Sequence, residues 1–330
     1  MTPKENALHI IRFGRPECVV AGPPCHGIGF FGVNHEAADG VSHTGPIGCC
    51  WTDIWGTVWK KEQEGMMGFP VSFPLAKREA LASYRWPDTT NDEHLLAPIY
   101  SGAKALGERQ VFLGGSHRNA LWERACQLVG METLMERFFT DPSYIRDLFH
   151  HIMDFHLGIA AHYLKLGVEM IFCSDDLGTQ LGPLIGPDML RDFFVPEYRR
   201  LFGLYHEHRV LINFHSCGNV EQVVPIFLDL GIHIINPVQA TANHLDALRQ
   251  QTAGRLVLQG GISSKTLMDG PPEAIVAEVR QRLWQLGRDG GYFCGPDQHM
   301  PFPPGHLEAM NEAIQQHGRY PIGEDAASAD

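Results

Sequence analysis

The sequence predicts an α/β fold, a (β/α)8 TIM barrel with extended N-terminal loops over the C-terminal mouth. Three observations carry this. Five strand-then-helix units follow one another in the C-terminal half, which demands parallel strands with helical crossovers. Five successive strand ends carry polar or ligand-type residues (Asp175 and Asp176, His215 and Cys217, Asn236, Gln259, Cys294), and barrels gather their chemistry there. The competing doubly wound sheet lacks its glycine-rich dinucleotide fingerprint after an early strand.

The elements follow in order. Strands are expected over Glu17 to Ala21 and Val111 to Leu113. Residues 22–70 are rich in Gly, Pro, Cys, His and Trp and read as long loops. Residues Leu121 to Phe139 read as two helices broken at Gly130. A long helix then runs from Asp141, an N-cap followed by Pro142, to a stop at Gly167. The five units have strands at Glu169–Ser174, Val210–Phe214, Ile232–Ile235, Leu256–Gln259 and Tyr292–Cys294, short apolar runs suited to burial on both faces. Their helices span about Pro187 to His208, Val220 to Leu230, Leu245 to Gln251, Pro272 to Leu286 and His306 to His317. One domain, 1–323, accounts for these elements, and the small polar tail 324–330 is expected to be disordered.

The chain has 330 residues, is 44% hydrophobic and carries a net charge of −12. Its scattered Lys and Arg argue against a nucleic-acid surface. No apolar run of about 18 residues suggests a membrane span. The first residues show no apolar signal-peptide core, so a cytoplasmic location is expected, with eight reduced cysteines. A homodimer is expected on frequency alone.

His215 and Cys217 lie two apart at a strand end, so they face the same way if the strand geometry persists. With Cys294 they make one His and two Cys, a donor set for zinc with an open fourth position. Asp175 and Asp176 read as a general acid or an orienting pair, or as a solvated turn or N-cap. Gln180, Asn236 and Gln239 read as substrate-binding amides, or as residues satisfying loops and backbone. His26, His35, His43 and Cys25 offer a fourth ligand or a lid, against plain loop residues. Trp51, Trp55 and Trp59 recur every four residues, a helical stripe that reads as core packing or as an aromatic wall. Asp297 and His299 are candidates for orienting His215.

The ordered set Arg15-Pro16-Glu17, Asp53-Ile-Trp-Gly-Thr57, Pro74-Leu75, Ser174-Asp-Asp-Leu-Gly-Thr-Gln180, His215-Ser-Cys-Gly-Asn219, Asn236-Pro-Val-Gln239, Gly260-Gly261-Ile262 and Gly290-Gly291 resembles the uroporphyrinogen decarboxylase superfamily, and within it the cobalamin-dependent methyltransferase branch. The resemblance implies a TIM barrel with zinc on His215, Cys217 and Cys294. It implies a methyl group moving between a small substrate (a methyl ether such as a methoxylated aromatic, or a thiol) and the cobalt of a corrinoid (cobalamin). No corrinoid-binding Asp-x-His-x-x-Gly sequence is evident, so a separate corrinoid protein is the implied partner. The decarboxylases of the superfamily hold substrate carboxylates with an arginine-rich N-terminal segment; here Gly22-Pro-Pro-Cys-His-Gly-Ile-Gly29 stands in that region without an arginine. Decarboxylation of a tetrapyrrole-like acid is the first alternative, and a non-catalytic metal- or corrinoid-protein-binding partner the second.

Overall fold

The computed structural model describes residues 1–37, 39–107 and 110–323; the tail 324–330 lies outside the described residues. In chain order the elements are α1 (Pro3–Ile11), β1 (Cys25–Ile28), β2 (Cys50–Thr52), β3 (Val58–Lys60), β4 (Phe69–Ser72), α2 (Glu93–Ala105), β5 (Phe112–His117), α3 (Trp122–Val129), α4 (Met131–Thr140), α5 (Pro142–Lys165), β6 (Met170–Ser174), α6 (Pro187–Met189), α7 (Val195–Glu207), β7 (Leu211–His215), α8 (Val224–Asp229), β8 (Ile234–Val238), α9 (Leu245–Thr252), β9 (Val257–Ile262), α10 (Ser264–Asp269), α11 (Pro272–Arg282), β10 (Tyr292–Pro296) and α12 (Pro304–His317).

Among the described residues, seven strands form one parallel sheet in the order β1-β5-β6-β7-β8-β9-β10. Its two edges approach the same stretch of chain. The Cys294 amide donates to the Val20 carbonyl at 3.0 Å, and the Phe112 amide to the Pro24 carbonyl at 2.8 Å. The sheet therefore curls, with one face inward and one toward the helices.

The inner face is filled at one end by α1. Its Ala7, Ile10 and Ile11 pack on Phe112, Met170, Ile234, Val257 and Phe293, one inward residue from each of five strands. The outer face, with Ile171, Cys173, Ile212, Phe214, Ile235, Leu258, Tyr292 and Cys294, joins the large core shared with the helices. Which of these two cores a strand residue joins is set by strand parity alone.

Much of the expected order is present. The Asp141 side chain accepts from the Tyr144 amide and starts α5, and Gly167 at φ +73° follows its end. Gly130 at φ +91° separates α3 from α4, where a side chain would be strained.

Two expectations fail. Glu17 to Ala21 is not a strand: Cys18 makes only an isolated bridge to Arg319, and the first strand starts at Cys25. Pro23 and Pro24, which bring no ladder donor, separate this stretch from β1. Residues 22–70 are also more than loops. They hold β1 and a three-stranded antiparallel sheet, β2-β3-β4, joined to α3 by the Thr57 hydroxyl donating to the Gln127 carbonyl at 2.8 Å. Trp51 and Trp59 are a cross-strand pair in it, with rings stacked 6.4 Å apart, and Trp55 lies in the intervening turn. The spacing of four thus came from a hairpin, not a helix. All three rings are buried, as core packing requires.

Candidate metal centre

β7 ends on His215, whose ring points inward beside Phe172 of β6, with ring centroids 5.8 Å apart. The chain then turns at Gly218, φ +84°. A Cβ there would lie 2.5 Å from the Gly178 carbonyl carbon, and one on Gly178 would lie 2.5 Å from the Cys217 carbonyl oxygen. Two glycines thus let the loops after β6 and β7 pack backbone on backbone. The Asn219 amide donates to the Thr179 carbonyl at 2.7 Å across this contact.

The packing places Asp176, in the loop after β6, against the loop that carries Cys217. Asp176 Oδ1 accepts from the Cys217 amide at 2.9 Å and lies 3.5 Å from His215 Nε2. Cys217 Sγ is 3.4 Å from the same Nε2. One ligand atom from each of Asp176, His215 and Cys217 lies within 4.8 Å of the others. His215 Nδ1 donates to Asn236 Oδ1 at 3.0 Å, while Asn236 Nδ2 donates to Asn213 Oδ1. That relay leaves the Nε2 lone pair facing the cluster, the arrangement a metal-bound imidazole needs. Burial first, then the Asp176 charge, pushes the Cys217 thiol up to about 12. A bound cation would reverse that preference and hold the thiolate. Imidazole, thiolate and carboxylate together are a zinc donor set, so the residues present fit that ion.

Cys294 is not brought to this cluster. It is fully buried on β10 in the outer core. Burial pushes its thiol up to about 12, and the groups acting on it next are Tyr292, Glu278 and Arg282, on the helix side of the sheet. The neighbouring Phe293 takes the inward position. Cys294 pairs with Gly260 and Phe293 with Gln259, so Cys294 lies on the wrong face, one residue out of phase with the inward set.

The other expected site residues divide. Asp175 is fully buried beneath α3, accepting from the Leu121 and Glu123 amides at 2.8 and 2.9 Å and from the Tyr198 hydroxyl. It is not the N-cap of a helix: it receives the first amides of α3, whose N-cap is Leu121, from the loop after β6, and its carboxyl is raised by burial. Gln180 and Gln239 bond each other through their amides at 3.3 and 3.4 Å, and Gln239 Oε1 also accepts from the Gly218 amide at 3.1 Å. Gln239 therefore holds the Cys217 loop. Asn236 orients His215, the task expected of Asp297 or His299; Asp297 instead accepts from the Ser264 amide at 2.8 Å. His26 is turned away toward α2, bonded to the Gly102 carbonyl at 2.9 Å. His35 is buried against Trp59 and Asp53.

One further residue touches the cluster. Gln298 Nε2 lies 3.5 Å from Cys217 Sγ. The Glu123 carboxyl is raised by burial and by Asp175 and Asp176. Gln298 has no sequence signal, because it reaches the site from a loop whose direction depends on packing.

Below the cluster, on the inner face, lies a cavity of about 360 Å³. Its wall includes Cys25, Gly27, Gly114, Phe172, Asn213 and Gln259, and among the described residues no charged side chain lines it. Phe172, 36% exposed although mid-strand, turns its ring into this space.

Comparison with known proteins agrees with this architecture. A uroporphyrinogen decarboxylase of Burkholderia pseudomallei (strain 1106a) is 29% identical over 210 residues, covering 60% of this chain and 56% of the relative. That of Burkholderia thailandensis is 28% identical over 207 residues, with the same coverage. The match therefore spans little more than half the length of these curated relatives. A solved structure described as a methyltransferase from Methanosarcina mazei superposes with a TM-score of 0.71 at 16% identity, covering 96% of this chain and 99% of that one, which establishes a common fold. Residues 67–317 match the uroporphyrinogen decarboxylase (URO-D) family, and the chain belongs to that family.

Proposed function

We propose that this protein is a zinc-dependent methyltransferase on a (β/α)8 barrel, moving a methyl group between a small substrate and the cobalt of a corrinoid carried on a separate protein. The observation that carries the reading is the His215–Cys217–Asp176 cluster, linked through Phe172 and Asn213 to a cavity with no charged side chain among its described lining residues. His215, Cys217 and Asp176 would hold the zinc, with Asn236 fixing the imidazole and Gln239 fixing the loop that carries Cys217. When bound, zinc supplies Lewis acidity toward a leaving oxygen or holds a thiol as thiolate. The cavity binds the substrate beside Phe172 and shields it from water. The methyl ether direction is favoured over thiol methylation, resting on the Ser174-to-Gln180 stretch and the family resemblance.

The decarboxylase reading draws on the curated relatives. Against it stands the cavity wall, which among the described residues offers no Lys or Arg to clamp a carboxylate-rich ring. The deciding experiment gives the zinc-loaded protein free cob(I)alamin and a methoxylated arene or a methylated thiol. Methyl-corrinoid absorbance that appears with wild type and is lost with Cys217→Ala is the expected result. No methylation with either donor class, together with carbon dioxide release from a porphyrinogen, would establish the decarboxylase instead.

A further inference from the structure

We infer that the cavity selects an uncharged, ring-sized molecule bearing a hydroxyl group, and that Gln259 is the residue that recognises the hydroxyl. The inference deepens the methyltransferase reading and takes from it the location of the substrate.

The walls set size and charge. At 360 Å³ the space suits one small ring. It exists because small residues face it. Cys25 and Gly27 alternate with His26 and Ile28, which turn toward the helices. A Cβ on Gly27 would meet nothing within 4 Å, so the glycine leaves open volume rather than relieving a clash. With no charged residue among the described lining residues, a carboxylate, sulfonate or ammonium held within these walls would meet no side chain of opposite charge, a penalty.

The polar groups set the recognition. Asn213 Oδ1 is already taken by Asn236. Gln259 is different. It lines the cavity, it makes no hydrogen bond among the described residues, and its Oε1 is buried without a partner. Its Nε2 sits against Gly22, where an added Cβ would come within 3.1 Å. Buried amides are nearly always bonded, so an idle one on a cavity wall points to an occupant. A hydroxyl both donates and accepts, and satisfies the amide in either orientation.

The test is equilibrium binding by calorimetry to the full chain without corrinoid, using 2-methoxyphenol, methoxybenzene and 3-methoxybenzoate. We expect 2-methoxyphenol to bind about tenfold tighter than methoxybenzene, and 3-methoxybenzoate to bind weakest. Gln259→Leu should bring the first two within about twofold. Gly27→Val should abolish binding of 2-methoxyphenol while zinc content stays at the wild-type level. Equal affinity of wild type for the phenol and the plain ether, preference for the benzoate, or no binding of any probe would each overturn the inference, and none of these outcomes depends on Gln259→Leu folding. Methyl transfer to cob(I)alamin is scored separately. Selective binding without transfer would leave this inference standing and defeat the methyltransferase reading; transfer without hydroxyl preference would do the reverse.

Discussion

Replacing Asn236 by Ala removes the oxygen that accepts from His215 Nδ1 at 3.0 Å. The imidazole then loses its fixed tautomer and its orientation toward Cys217 and Asp176. Loss of such an outer partner lowers metal affinity by about 10- to 100-fold, which is about 1.4–2.8 kcal/mol. Two features of the site decide how the loss is divided. The His215 side chain is 29% exposed, so water recovers part of the lost bond and the lower half of the range is expected. Asn236 lies in a buried relay, so Asn213 Oδ1 also loses its donor. That second loss acts on folding, at about 1 kcal/mol, and not on zinc. The assay is zinc competition against a chromophoric chelator, with circular dichroism to verify the fold. A zinc Kd within about twofold of wild type in a folded variant would refute the claim that Asn236 orients a ligand. A loss equal to that of Cys217→Ala would instead make Asn236 as important as a ligand itself.

Three other outcomes are expected. Cys217→Ala should abolish stoichiometric zinc while Cys294→Ala keeps it; elemental analysis of the two, purified side by side, decides whether the outward-facing Cys294 matters. Asp175→Ala should cost about 3 kcal/mol or more of stability by chemical denaturation, since two amides and the Tyr198 hydroxyl lose one buried acceptor; an unfolding midpoint equal to wild type would return Asp175 to the candidate catalytic residues. His117, buried between His156 and Tyr205, is held down to about 3 by burial. Its unfolded form binds a proton below about 6.5 and its folded form does not until about 3, so this residue makes stability fall as pH drops through that window. His117→Asn should therefore flatten the measured slope there by up to about 1.4 kcal/mol per pH unit, and an unchanged slope would mean His117 protonates in the folded state.

The residues by themselves determined the rhythm of the fold. The apolar runs ending at Ser174, His215 and Gln259 are strands because their helices and stop signals leave no other reading, and parallel order follows from the crossovers. They also placed His215 and Cys217 at one strand end, and capped α5 with Asp141. The structure alone decided which face each residue serves. Cys294 ends a strand just as His215 does, yet a shift of one residue sends it into the outer core, and strand phase is fixed by pairing with β9 rather than by local sequence. Asp176 joined the cluster and Asp175 left it for the same reason, since neighbours on an extended chain point apart. Gln298 and the idle amide of Gln259 gained their places only from the packing of separate loops and strands. The tryptophan spacing shows the converse: a period of four arose from a hairpin whose cross-strand partner was invisible in the sequence. Periodicity reports local geometry, and a site is made of non-local contacts.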